Sequence, residues 1–353
     1  MDCRAAYRGG EPMSEVTRPR VGITGFGLAG RYFHAPLLKG AGFEIVGAVT
    51  SNPERISHLK SDFPDAVAVK TVEELIALKI DLLVVATANI VHAKEAIAGL
   101  RAGIPVVVDK PMALNLAQTE EIIRVSEETG VPVTTYFSRR WDSDALTIKR
   151  VLKEGLLGEI IRMDSRFERF RPDANPNSWR ETTPEAEGGG LVLDLQPHLV
   201  SLALDWFGPA ELKYASVRSI RGGADDDSVL VLKHANGVDS YLAASAVQGS
   251  PGPRIRISGT KGSLVIFDLD PQEDLLRSGK YPKDGVWDVP TATPAYFFTG
   301  TDFTEIVSEN GNYCEYYLAV KAALGGNSPW PVPVEDSLAV ARILDEAREI
   351  SIR

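Results

Sequence analysis

The sequence predicts an α/β protein in two parts, a doubly wound parallel sheet followed by an α+β unit of mostly antiparallel strands. Three observations carry this. Gly25, Gly27 and Gly30 stand between a short apolar run (21–24) and a helical stretch. The runs "DLLVVAT" and "GIPVVVDK" are rich in β-branched residues and lack polar alternation, as strands covered on both faces do. Beyond Tyr136 the texture turns to alternating strands and hairpin signals.

Bulk properties bound the function. At 353 residues the chain suits one large or two medium domains. Hydrophobic residues at 44% and charged residues at 24% are ordinary for a globular protein. A net charge of −10 with no basic block argues against nucleic acid as a partner. No apolar run approaches the ~20 residues a membrane-spanning helix needs. Residues 1–19 are polar, lack the apolar region of a secretory signal, and read as a disordered leader, with Met13 an alternative start. Two cysteines, Cys3 and Cys314, make no disulfide framework and fit a reducing cytoplasm. Five scattered histidines argue against a clustered metal site.

In "RPRVGITGFGLAGRYFHAPLL" the glycines have the spacing G-x-G-x-x-G at a strand–helix corner. There the first glycine permits a tight turn, the second lets backbone approach a pyrophosphate, and the third lets helix and strand pack closely. The helix N-terminus then attracts the anion, and the loop 25–30 (Gly25, Phe26, Gly27, Leu28, Ala29, Gly30) becomes a candidate cofactor cradle. Glycines at such corners also serve plain turns, so the context decides. A second strand, "FEIVGAVT", ends about 20 residues beyond Gly30, where an NAD-binding fold places a ribose-binding acid. This chain has "TSNPER" instead. Ser51 and Asn52 can donate hydrogen bonds and Arg55 can meet a 2′-phosphate, which favours NADP(H) over NAD(H); a solvated helix start is the plainer reading of Arg55. In parallel sheets ligands lie beyond the carboxyl ends of the strands. Thr87, Asn89 and His92 follow one such end, and Asp109, Lys110 and Pro111 follow another, so all are candidate cofactor residues.

The boundary falls near residue 137, with residues 20–137 as the nucleotide-binding domain and 138–353 as the second. "SVLVLKHANGVDSYLAASAV" carries an Asn–Gly turn between two strands, and "RIRISGTKGSLVIF" reads as another hairpin. "DPQEDLLRSGKYPKDGVW" is polar and turn-rich, a loop or small excursion, and "SLAVARILDEAREISIR" is an amphipathic helix. The chemical interest lies in "EGGGLVLDLQPHLVSLALDWFG", read as one apolar helix with Asp194 and His198 at i and i+4 on a shared face. An acid beside an imidazole holds its tautomer and raises its pKa, as a general acid/base requires. A helical ion pair or an N-cap is the plainer alternative. A metal reading lacks a third ligand.

With GFGLAG, ATANIVH, DKP and GGGLVLDLQPH in this order, residues 20–353 resemble the Gfo/Idh/MocA oxidoreductases. "FHAPLL", "RRWDSDALTIK", "FERFRP", "DLDPQEDLL" and "GNYCEYY" are similar to signatures of the NADP-dependent scyllo-inositol dehydrogenase subgroup. The resemblance implies a Rossmann domain plus a C-terminal α+β domain with a large, open, mostly antiparallel sheet, helices on one face. It implies a homodimer or homotetramer formed through that sheet, and a C-terminal helix that packs back on the first domain. It also implies that Lys110 contacts substrate and nicotinamide ribose, that Asp194 positions substrate, and that His198 is the catalytic base. Trp179 and Arg180 match a pair that lies along the cofactor; Ser138 and Arg139 match a substrate-contacting stretch, joined by Gln196 and Tyr313 as candidate substrate contacts. Three positions depart from the subgroup: Ser138 stands where Asn is usual, Gln196 where a small residue is usual, and Ser201 where an acid is common.

The expected reaction is reversible oxidation of a secondary alcohol on a cyclic polyol or sugar, an inositol-like one favoured, with NADP(H) as cofactor. His198 takes the hydroxyl proton, Lys110 stabilises the developing alkoxide, and Asp194 fixes His198. Aldose 1-dehydrogenation or keto-sugar reduction on the same fold is the alternative. A non-catalytic NADP-binding regulator would break the Lys110–Asp194–His198 trio, which is present here.

Overall fold

The computed structural model describes residues 18–351; Cys3, Met13 and nearly all of the expected leader lie outside them. Six parallel strands form the first sheet: β1 (Arg20–Thr24), β2 (Glu44–Val49), β3 (Val67–Val69), β4 (Leu82–Val85), β5 (Val106–Asp109) and β6 (Val133–Tyr136). Their order, β3-β2-β1-β4-β5-β6, reverses direction between β1 and β4. That reversal opens a crevice at the carboxyl ends of the strands. The crossovers run through α1 (Ala35–Gly40), α2 (Pro53–Asp62), α3 (Val72–Ile76), α4 (Asn89–Arg101) and α5 (Leu116–Thr129). All four residues of β4 are buried, because helices cover both faces of the sheet.

The second part begins with α6 (Ser143–Glu154) and β7 (Ile160–Glu168), followed by α7 (Trp179–Thr182), α8 (Leu191–Asp194) and α9 (Gln196–Phe207). Seven further strands come next: β8 (Ala210–Arg218), β9 (Asp227–His234), β10 (Asp239–Ser245), β11 (Ile255–Gly259), β12 (Gly262–Ile266), β13 (Ala295–Thr299) and β14 (Asp302–Ile306). The sheet order is β14-β13-β12-β11-β7-β10-β9-β8, with β7 and β10 parallel and every other pair antiparallel. Along β7, Met163, Ser165 and Phe167 are buried while Arg162 is exposed, the alternation of a sheet covered on one face. Three helices remain: α10 (Gln272–Arg277), inserted between β12 and β13, then α11 (Cys314–Leu324) and α12 (Val334–Ser351).

One hydrophobic core runs without a break from Val21, Ile23 and Leu82 through Tyr136, Phe137, Tyr316 and Tyr317 to Leu230 and Leu242 of the large sheet. A separate core, with Leu83, Val108 and Ile122, fills the other face of the first sheet. α12 spans the two parts: Leu116 N–H donates to the Asp345 carboxylate at 2.7 Å, and Arg348 donates to the Leu114 carbonyl at 2.9 Å. The hydroxyls of Thr135 and Ser337 meet at 2.8 Å.

Two sequence expectations need correction. The single helix through Asp194 and His198 is two helices broken at Leu195, since Pro197 has no N–H to continue the ladder and its ring would strike the carbonyl four residues back. The stretch from Asp270, expected to be a loop or a small excursion, contains the short helix α10, whose first turn is closed onto Asp270 through the Gln272 N–H at 2.7 Å.

Candidate active site

The glycine loop has the backbone the motif asks for. Gly25 takes φ +83°, and a side chain there would strike the Ala86 carbonyl at 2.8 Å. A Cβ on Gly30 would lie 2.0 Å from the Gly25 carbonyl, so the loop closes on itself only with glycine at both positions. Gly27 faces outward, and the nearest atoms to a Cβ placed there belong to the Arg55 guanidinium, at 3.5 Å. Leu28 and Ala29 line the interdomain cleft, whereas Phe26 turns inward to meet Phe63 edge-on. Ser51 and Arg55 are exposed beyond β2, and the Asn52 side chain caps α2 by accepting the Arg55 N–H at 3.1 Å.

The residues after β4 divide by role. Thr87 donates to the Glu95 carboxylate at 2.7 Å. Asn89 is buried and donates to the Gly188 carbonyl at 3.2 Å. His92, with no exposed surface, sits between the carbonyls of Thr87 and Pro111 at 3.1 and 2.9 Å. Asn89 and His92 therefore tie loops together behind the cleft rather than facing it. Asp109 lines the cleft and faces His34 Nε2 at 3.8 Å. Burial disfavours its charge, but His34 and Lys110 outweigh burial and hold its pKa below the usual carboxylate range.

Lys110 crosses the cleft. Its ammonium donates to the Asp194 backbone carbonyl at 2.6 Å and to the Asp194 carboxylate at 2.9 Å. Arg180 donates to the same carboxylate at 3.1 Å while stacking on Trp179, 4.6 Å from the ring centre. Desolvation opposes the Asp194 charge, yet Lys110 and Arg180 more than offset it and keep this group ionised to very low pH. The expectation that Asp194 fixes His198 and raises its pKa is thus corrected: with the helix broken at Leu195, the carboxylate serves Lys110 and Arg180.

His198 lines the cleft floor. Its Nδ1 is buried without a hydrogen-bond partner, which leaves Nε2 as the ring nitrogen facing the cleft. Desolvation, then Lys110, Arg139 and Arg254, push its pKa well below 6.5, so the imidazole is neutral and a proton acceptor at neutral pH. Beside it the guanidinium groups of Arg254 and Arg139 lie over the Phe167 ring, 3.9 and 4.9 Å from its centre. Arg139 is held by Asp142 at 3.1 Å and by Glu273.

Ser138 and Tyr313 also line the cleft. The Tyr313 phenol is buried, and burial raises its pKa well above the phenolic value. Gln196 does not reach the cleft: wholly buried, it donates to the Ser228 hydroxyl at 3.0 Å under α9. Ser201 accepts from Arg140 at 2.9 Å behind the site. Of the three departures from the subgroup pattern, Ser138 alone borders the cleft.

Several cleft residues escaped the sequence reading. Glu273 and Arg277 come from α10, in the stretch expected to be a loop or a small excursion. Arg169 and Arg171 follow β7, where only "FERFRP" as a signature marked them. Asp225, whose carboxyl accepts the Val192 N–H at 2.8 Å, is pushed up to about 7 by burial, and no motif announced it.

Comparison with known proteins follows the same division of the chain. Residues 19–137 match the oxidoreductase family with an NAD-binding Rossmann fold, and residues 145–265 match the GFO/IDH/MocA C-terminal domain. The scyllo-inositol 2-dehydrogenase (NADP(+)) IolW of Bacillus subtilis is 34% identical, over 96% of this chain and 95% of its own. The uncharacterized oxidoreductase YdgJ of Escherichia coli is 33% identical over 92% and 94%. The solved structure of Bacillus subtilis yvaA superposes with a TM-score of 0.86 at 32% identity, covering 96% of this chain and 97% of that one.

Proposed function

Since the chain belongs to the Gfo/Idh/MocA oxidoreductase family, we propose that it oxidises a secondary alcohol of a cyclic polyol or sugar reversibly, with NADP(H) as cofactor. The observation that carries this reading is the Lys110–Asp194 bridge across the cleft at 2.9 Å, with neutral His198 on the same floor. Bound NADP(H) supplies the hydride acceptor or donor. The loop from Gly25 to Gly30 has the glycine-only contacts of a pyrophosphate cradle. Thr50, Ser51 and Asn52 in place of an acid directly at the end of β2, with Arg55 lying over Gly27, support a 2′-phosphate and so NADP(H) over NAD(H).

In the oxidative direction His198 Nε2 accepts the hydroxyl proton, and its uncharged state makes it ready to do so. The Lys110 ammonium, fixed by Asp194, stabilises the alkoxide as it forms. Arg180 donates to the same Asp194 oxygen as Lys110, so the carboxylate is fixed and the lysine is aimed before substrate arrives. Ser138 offers a polar contact to the remaining hydroxyls, with Arg139 and Tyr313 lining the cleft beside it. An inositol-like substrate is favoured by the similarity to IolW over nearly the whole chain. Aldose 1-dehydrogenation is the competing reading, because the cleft lining does not distinguish the two. The setting proposed is a reducing cytoplasm, in keeping with the free, buried Cys314. The oligomer proposed is a homodimer or homotetramer joined through the outer face of the large sheet.

The test is a panel of inositols and aldoses followed by the absorbance of reduced nicotinamide, with NADP⁺ and NAD⁺ in parallel. The expected result is turnover of a polyol or sugar, at higher kcat/KM with NADP⁺. Preference for NAD⁺ would refute the Arg55 argument, and no turnover in either direction would refute the dehydrogenase reading.

A further inference from the structure

Most of the cations that line the cleft are spoken for. Lys110 and Arg180 share Asp194, Arg139 is held by Asp142 and Glu273, and Arg221 is held by Glu181 and Asp226. Arg277 is 3.9 Å from Glu273. Arg169 and Arg171 differ. Both line the cleft, and among the described residues neither side chain has a hydrogen-bond or ion-pair partner.

Their placement follows from the backbone. Beyond the end of β7 the chain stays extended: Arg169 N–H donates to the Ser245 carbonyl at 2.9 Å, and Arg171 N–H donates to the Ala246 carbonyl at 2.7 Å. Side chains alternate in such a segment. Arg169 and Arg171 therefore share the cleft side and Phe170 between them takes the other, all three being exposed. Ser245 and Ala246 also line the cleft, on the side of the large sheet. Desolvation and the like charge of Arg171 lower the Arg169 pKa, while Asp194 and Glu273 act in the opposite sense, so Arg169 lies within electrostatic reach of the substrate floor.

Two neighbouring guanidinium groups without a direct ion-pair partner repel each other and present donors that match an oxyanion. We propose that Arg169 and Arg171 form a subsite for an anionic substituent of the substrate, a carboxylate or a phosphate, remote from the carbon that is oxidised. The proposal rests on the dehydrogenase reading and narrows its substrate class from neutral polyols to acidic or phosphorylated sugars.

The test compares D-glucose, myo-inositol, D-glucuronate and D-glucose 6-phosphate as probes, in the wild type and in Arg169→Gln, Arg171→Gln and the double variant. NADPH affinity is measured alongside by fluorescence titration. A charge-assisted hydrogen bond is worth roughly 1.5–3 kcal/mol, which is about 10- to 100-fold in kcat/KM. The expected result is a wild-type preference for glucuronate or glucose 6-phosphate over glucose of about that size, reduced to near unity in the double variant, with NADPH affinity little changed. Which anionic probe wins identifies carboxylate or phosphate. A wild type that turns over neutral probes as well as anionic ones overturns the subsite and leaves the dehydrogenase reading standing. A double variant that loses NADPH affinity instead assigns the pair to the cofactor and overturns it too. If no probe or inositol is turned over, the dehydrogenase reading fails and takes this inference with it.

Discussion

At His198, burial and three neighbouring cations act in one direction, and their sum is a neutral imidazole on the floor of the cleft. The sign of the consequence is definite. Because the folded pKa is depressed, the unfolded chain binds a proton near pH 6.5 that the folded chain refuses. The group costs nothing above that pH, and stability falls as pH drops below it. The same shift sets the rate profile: in the oxidative direction kcat/KM keeps its plateau below pH 6.5 and declines only further into acid. Replacing Lys110 with Met removes the largest charge acting on the ring, so this acid limb moves upward in pH. A pH profile of kcat/KM on both proteins checks it; a wild-type limb at or above pH 6.5 would contradict the assignment of His198 as a depressed base. The types of these residues were legible in the sequence, but Asp194's partner was not. Which charge a carboxylate meets depends on a contact between residues 84 positions apart.

Among the elements, the glycine loop was the most legible, because its spacing is local and two of its positions, Gly25 and Gly30, admit backbone alone. The break between α8 and α9 is also written locally, in Pro197, although the i, i+4 spacing of Asp194 and His198 by itself reads as one continuous helix. α10 was harder to see. It is a short helix in a polar, turn-rich stretch, and its first turn is pinned by Asp270, which also accepts the Ser143 N–H at 2.7 Å. A six-residue helix held by partners elsewhere in the chain leaves little periodicity of its own. It matters nonetheless, since Glu273 holds Arg139 and Arg277 lies over the Phe33 ring. The arginines after β7 were visible as residues but not as a pair facing the cleft, which requires knowing that the strand continues extended beyond Glu168.

At the scale of the molecule, the continuous core and α12 make the two parts one body, so the cleft between them is built from both. Among the described residues nothing covers the outer face of the large sheet, where Ile161, Tyr214 and Tyr241 are exposed. Across it Tyr214 pairs with Val231, Val231 with Tyr241, and Tyr241 with Asp164, with Arg162 stacked 5.7 Å over the Tyr241 ring. A face mixing aromatic rings with paired charges suits a self-complementary contact. Light scattering on the eluting protein is expected to give the mass of a dimer or tetramer, and Tyr241→Asp is expected to shift it toward the monomer. A monomeric wild type would contradict this. The account as a whole turns on the lysine that spans the cleft. Its most direct test is the turnover number of Lys110→Ala and His198→Ala at saturating NADP⁺ and substrate, with thermal melting to show that both variants fold. The predicted result is a loss of about 10²–10⁴ in each with melting behaviour preserved. Folded variants that turn over at close to the wild-type rate would contradict it.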